Sequence, residues 1–298
     1  TGTAAAMVWL SAGTQQQVLN VNTAQVHSTN EGWLARLRLG FRAGPGRTVL
    51  AQRERHGPLA VQRPFYPEGE VCHVYLLHPP GGVVGGDHLQ IDCDLAAHSF
   101  VLVTAPGATK FYRSAGALAC QQQHLRVADG ASLEWLPQES IFFPGARVRM
   151  CTRAELLGDA HLTLWEILCL GRPANGEAFT EGAVDSRLEV WREGQPLLLE
   201  RFRMDAQTRK RVSMLAGQPV FATAVFSHAS EAHLQMVRDM IGPDDQAVSG
   251  ATLTEGHLLV RYLGDSTEQA KKLFAKIWSA LREPLLGRPA VVPRIWNT

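Results

Sequence analysis

Three carboxylates stand among apolar neighbours, and their chemistry is the first thing this chain offers. Glu166 in LTLWEILCL shares its alternating face with Leu162, Leu164, Leu168 and Leu170, while Trp165, Ile167 and Cys169 make the other face apolar too. Glu200 in LLLERFRM keeps the parity of Leu198, Phe202 and Met204, and Asp87 opens a strand that carries Leu89, Ile91 and Cys93 in register with it. A carboxylate kept inside costs several kcal/mol or takes up a proton unless it meets an arginine, a hydrogen-bond donor, a cation or water. Arg172 and Arg201 are the nearest candidate partners in the sequence. Two readings stay open on the residues alone: plain buried ion pairs, or a polar internal cavity whose oxygen ligands hold a divalent cation weakly enough to pass it on.

Other chemistries find less support. Cys72, His73 and His78 come closest to a thiolate and imidazole cluster, but on a strand His73 faces away from the other two, which predicts a core thiol with hydrogen-bonded imidazoles. The glycine run 81–86 (GGVVGG) is neither GxGxxG nor GxxxxGK[ST], and Gly107-Ala108-Thr109-Lys110 lacks the upstream glycine of a phosphate loop, so nucleotide hydrolysis has to come from a partner. These glycines are expected in tight turns and at strand ends. No GxSxG elbow and no HExxH occurs, and the alternative enzyme reading is a metal-dependent hydrolase that uses the same buried carboxylates.

The elements that must position these residues are mainly strands. Period-two patterning begins at Trp33 and returns at 71–78, 88–95, 99–104, 124–127, 132–136, 147–153, 161–170, 187–192 and 197–204, with Asp129-Gly130, Pro144-Gly145, Gly158-Asp159 and Glu193-Gly194 as turn signals between them. The pattern predicts a mainly β fold, a layered or solenoid-like body of many short antiparallel strands, with two helices near the C-terminus. The first helix is expected over 230–241 behind Ser230, and the second over 266–286 behind a capping box of Ser266 and Gln269. Residues 1–30 read as a flexible leader or an appended remnant, and 31–298 as a single domain with a β body to about 225 and an α+β tail from about 226.

Composition limits the partners. With 29 Lys+Arg against 28 Asp+Glu, no net field favours nucleic acid or an anionic membrane, and the apolar runs are too short for a membrane helix. Five scattered cysteines without a CxxC pair point to a reducing cytoplasm.

Several longer segments then resemble one family. GPLAVQRPFYPEG (57–69), HPPGGVVGGD (78–87), APGATKFYRS (105–114), LEWLPQESIFFPGA (133–146), LCLGRPANGEAF (168–179) and PRIWNT (293–298) are similar, in order, to the urease accessory protein D family, called H in some organisms. The resemblance runs from about Gly32 to Thr298 and leaves the leader outside it. It implies a protein without turnover of its own, which binds urease apoprotein and joins accessory proteins F and G, the latter a GTPase, in an assembly, with a dimer of the accessory complex among its forms, that inserts nickel into urease. The resemblance also implies no tightly bound cofactor and a transient nickel path through Asp87, Glu166 and Glu200, with Thr109 lining a tunnel. Arg63, Phe65, Tyr66, Lys110, Tyr112 and Arg113, with Phe111, Phe142 and Phe143 beside them, have the arginine and aromatic composition of interface anchors, against the plainer reading of packing between β layers.

Overall fold

The structure is a computed structural model that describes residues 32–205, 207–211, 214–242 and 247–297. The leader expected over 1–30 lies outside the described residues. The strands are β1 (Leu34–Gly44), β2 (Arg47–His56), β3 (Ala60–Val61), β4 (Cys72–Leu77), β5 (His88–Leu95) and β6 (Phe100–Thr104). They continue as β7 (Thr109–Phe111), β8 (Ala119–Val127), β9 (Ser132–Leu136), β10 (Ser140–Phe142), β11 (Arg147–Leu156) and β12 (His161–Arg172). The last are β13 (Glu177–Ala178), β14 (Ala183–Arg192), β15 (Gln195–Asp205), β16 (Val220–Phe226), β17 (Val248–Thr254) and β18 (His257–Gly264), with helices α1 (Glu231–Ile241) and α2 (Thr267–Leu286) on either side of the final hairpin.

Successive strands alternate between two sheets. One sheet runs β15-β14-β11-β8-β5-β1-β2 and the other β17-β18-β16-β12-β9-β6-β4-β3, so each β5-β6, β8-β9 and β11-β12 step is one coil stacked on the last. The solenoid-like, mainly β architecture and both helices are as expected. The direction of pairing is not: β1, β5, β8, β11 and β14 are parallel neighbours, as are β4, β6, β9 and β12. Antiparallel pairs flank this body, as in β1-β2, β14-β15 and the β12-β16-β18-β17 run. Period two reports that a strand is half-buried and says nothing of its partner's direction. Asp129-Gly130 illustrates the cause: it turns β8 not back on itself but across to the other sheet, where β9 pairs with β6 of the preceding coil. Glu193-Gly194, with φ of 49° and 76°, is by contrast a true hairpin turn between β14 and β15.

Two apolar layers result. The first lies between the sheets and takes Leu89, Ile91, Cys93 and Leu95 from β5 and Leu162, Leu164, Leu168 and Leu170 from β12. The second lies under the helices, where Trp165, Ile167 and Cys169 on the other face of β12 meet Phe274, Ile277, Trp278 and Leu281 of α2. Burial on both faces explains why β12 is continuously apolar instead of alternating. In α2 one half of the expected capping box forms, Gln269 donating its N–H to Ser266 Oγ at 3.2 Å, while its side-chain Oε1 accepts instead from Tyr262 Oη at 3.1 Å.

Polar side chains lock the second layer. Arg282 of α2 is buried and donates to Glu134 of β9 at 2.9 Å and to Glu68 at 2.6 Å, Trp278 Nε1 donates to the same Glu134 at 2.6 Å, and Glu68 meets His73 Nε2 at 2.5 Å. Burial opposes the charge on Glu68, but hydrogen bonds from His73 and Arg282 hold its carboxyl below the ordinary value. The five cysteines are all free, and burial pushes the Cys72 thiol up to about 11. Trp296 in the C-terminal segment donates to Thr104 Oγ1 at 2.9 Å and packs edge-on against Trp278, so that the conspicuous Trp of PRIWNT ties the chain end to the solenoid.

Candidate functional site

The site begins at Glu166, on the interior face of β12. Its Oε1 lies 2.5 Å from Thr152 Oγ1 of β11, and Thr152 Oγ1 lies 3.1 Å from Gln123 Oε1 of β8. Trp135 Nε1, a donor only, lies 3.2 Å from that same Gln123 atom, which identifies it as the amide oxygen. Thr152 has one proton to offer to two acceptors, Gln123 Oε1 and the Glu166 carboxylate. The shorter contact takes it, Thr152 Oγ1 donating to Glu166 Oε1. Burial lifts the Glu166 carboxyl to about 7, against the lowering effect of the Thr152 hydrogen bond and with the charge of Glu200 adding to the rise.

Glu200 reaches the same place from the other sheet. Glu166 and Glu200 line one internal cavity together with Leu168, Ser186, Leu188, Phe202, Phe221 and Thr223, a space of about 10 Å³, at the threshold for a single water. Glu200 accepts from Thr223 Oγ1 at 2.9 Å and from Arg261 Nη2 at 3.0 Å. The pairings anticipated from the sequence are corrected here. Arg201 pairs with Asp185 at 2.8 Å and Arg172 with Glu177, because Arg201 points to the opposite face of β15 from Glu200 and Arg172 lies at the far end of β12. The cation that meets Glu200 is Arg261, brought in from β18 across β16.

Asp87 is buried but elsewhere. It accepts N–H groups of Trp33 and Val84, each at 2.9 Å, and lines a separate pocket of about 230 Å³ with His78, Gly82, Leu89 and Tyr112. Thr109 sits on β7, its N–H given to Glu139 O at 2.9 Å, and is not among the residues lining either space. The glycines before Asp87 serve close approach as well as turning: a Cβ on Gly82 would lie 2.1 Å from the Tyr112 ring, and Gly81 and Gly86 have φ of 78° and 96°. Cys72 and His73 behave as core groups, Cys72 donating weakly to Tyr66 Oη at 3.8 Å.

The arginine and aromatic set divides. Phe111 and Phe142 are buried and stack at 5.2 Å between the layers. Arg63, Phe65, Lys110 and Arg113 are exposed, with Arg113 paired to Glu181 at 2.9 Å. Tyr66 is half-buried beneath Arg47, and Tyr112 is half-buried edge-on to Phe143 at 4.9 Å.

Thr152, Thr223, Gln123 and Arg261 are the site residues that sequence reasoning missed. The available signal was a polar residue at an inward position of an alternating strand, as in Thr152 between Met150 and Ala154.

The sequence model described as "UreD urease accessory protein" matches residues 34–297. The chain belongs to this family. "Urease accessory protein UreD" of Klebsiella aerogenes is 47% identical over 268 residues, covering 90% of this chain and 98% of that protein. The proteins of the same description from Alcanivorax borkumensis and Citrobacter koseri are 47% and 43% identical, covering 90% and 93% of this chain and 94% and 96% of their own lengths. The UreD match thus includes the whole solenoid, both helices and the cavity between Glu166 and Glu200. Among the described residues no helix is long and apolar enough to cross a membrane.

Proposed function

We propose that this UreD-family chain acts in urease maturation, as a scaffold that binds urease apoprotein and accessory proteins F and G and carries nickel on its way to the urease active site during GTP-dependent insertion, without turnover of its own. Family membership supports the maturation role, and the paired acids Glu166 and Glu200 in one small cavity are the observation that carries the conduit. A cation entering there must displace the proton of Glu166 or the Arg261 partner of Glu200, and that competition makes residence short, as hand-off requires. Asp87, in its own pocket beside His78, would be a separate station on the path, with Thr109 contributing from β7. Arg63, Phe65, Tyr66, Lys110, Tyr112 and Arg113 are the proposed partner contacts, those on the surface being available to a protein face. The place of action would be the cytoplasm, where the five free thiols remain reduced.

The test is co-expression of urease subunits and the other accessory proteins with this chain or with its Glu166→Leu and Glu200→Leu variants. Urease nickel content and activity are expected to fall while the accessory complex still forms. Loss of the complex together with nickel would make the residues structural, and full loading without this chain would overturn the maturation role.

A further inference from the structure

A second cluster of ligand-type side chains lies at the opposite rim of the solenoid from Asp87. Asp159 in the turn after β11, His161 at the start of β12 and His228 just after β16 each bring one ligand atom to a common point, all within 4.8 Å of one another. The two imidazoles stack at 3.9 Å between centroids, and His228 Nε2 lies 3.0 Å from Asp159 Oδ1. His161 Nδ1 is buried and has no hydrogen-bond partner, and neither has Nε2 of the neighbouring His257, whose Nδ1–H is given to Glu255 O. A buried imidazole nitrogen without a partner requires a physical reason.

The surrounding turn is built rather than loose. Asp129 Oδ1 accepts the Asp159 N–H at 2.7 Å, Glu193 Oε1 accepts the Gly158 N–H at 2.6 Å, and Arg192 donates to the carbonyls of Gly158 and Ala160 on either side of Asp159. Gly158 has φ of 49°, and a Cβ there would lie 2.2 Å from Asp129 Oδ1, so a side chain at this position would displace the Asp129 carboxylate. Ser227 Oγ receives the Leu162 N–H at 2.8 Å and lies 3.0 Å from His228 Nδ1, where it can take the Nδ1–H when a cation replaces the proton shared by Nε2 and Asp159.

We propose that Asp159, His161 and His228 form a binding site for one divalent late first-row transition ion, of the nickel, copper and zinc class. Two imidazole nitrogens and one carboxylate oxygen are the donor set such ions take, with remaining positions for water. Ligand atoms around such an ion lie about 3.4 Å apart, so the cluster closes by up to about 1.4 Å, the exposed Asp159 carboxylate moving in and the two imidazoles turning out of their stack. Arg192 beside the site weighs against magnesium and calcium, which are held by charge alone, and leaves the advantage to ions that bond covalently to imidazole. The site stands about 16 Å along β12 from Glu166, and it does not rest on the maturation role.

The experiment is metal titration of the full chain, freed of any affinity tag, with Zn²⁺ and Ni²⁺ by calorimetry and with Cu²⁺ by electron paramagnetic resonance. The expected copper spectrum carries couplings from two imidazole nitrogens, one of which disappears in His228→Ala, and Zn²⁺ affinity is expected to fall at least tenfold in His161→Ala and in His228→Ala. Should either histidine variant fail to fold, Asp159→Asn changes an exposed side chain and is expected to weaken Zn²⁺ binding while circular dichroism stays unchanged. A Glu166→Gln/Glu200→Gln variant is expected to keep the copper nitrogen signature. Unchanged Zn²⁺ affinity in His161→Ala/His228→Ala, a wild-type copper spectrum without imidazole couplings, or loss of that signature in the glutamate variant would each overturn the site.

Discussion

Glu166 on β12 and Glu200 on β15 enter one cavity from opposite sheets of the solenoid, and they do so in different states of satisfaction. Glu200 is met by Arg261 and Thr223, whereas Glu166 has only the hydroxyl of Thr152. The pair therefore combines one acid held against an arginine with one whose carboxyl is raised to about 7. A site of that composition exchanges a proton for a cation more readily than two ionised carboxylates held against their own arginines would.

The raised Glu166 carboxyl makes folding depend on pH with a definite sign. Its value of about 7 in the fold against about 4.5 in the unfolded chain means that the native state binds the extra proton between these limits, so stability falls as pH rises through that window. Glu166→Gln removes the titration and can still accept from or donate to Thr152. The variant should match the parent near pH 4.5 and exceed it by up to about 3 kcal/mol at pH 8, as read by urea denaturation. Parallel curves for the two proteins across this range would show that Glu166 is ionised at rest.

Arg282 is the main charge of the helical layer. Replacement by Met leaves Glu68 and Glu134 buried without their cation, and breaking such a network is expected to destabilise the fold by about 3–5 kcal/mol. Replacing Arg282 and Glu134 together by apolar residues should cost less than the single change, because one of the stranded charges is gone. Thermal unfolding of the three proteins measures the difference.

Gly82 is required by the ring that lies on it. Gly82→Ala places a methyl group into Tyr112 and should cost about 1–3 kcal/mol by overpacking. In a Tyr112→Ala background the same substitution should cost under about 1 kcal/mol. Equal penalties in both backgrounds would point to the backbone of the 81–86 turn instead of the ring.

Nickel delivery has its own discriminating variant in Thr223→Val, which keeps shape and removes a donor to Glu200. Urease nickel content should drop less than in Glu200→Leu, because the Arg261 partner remains. A Thr223→Val loss as large as that of Glu200→Leu would assign the hydroxyl a direct part in the path.

What the sequence determined by itself was which residues are out of place. An ionisable group at an inward position of an apolar strand is visible from parity alone, and Glu166 is such a group on β12. Most of the longer strands, both helices and the capping serine of α2 were legible for the same reason, since period and caps are local properties. Edge strand β2 was missed because its outer half is exposed throughout, so no alternation marks it. Only the tertiary structure decided direction, partners and company. Parallel coils replace hairpins because a turn at Asp129-Gly130 can lead either back or across, and the choice is made by which coil offers a free sheet edge. Arg261 replaces the nearer arginines, Asp87 is set apart from Glu166 and Glu200, and Asp159, His161 and His228 meet from positions up to 69 residues apart. Each of these is a long-range pairing fixed by stacking of coils, and no local pattern of residues carries that information.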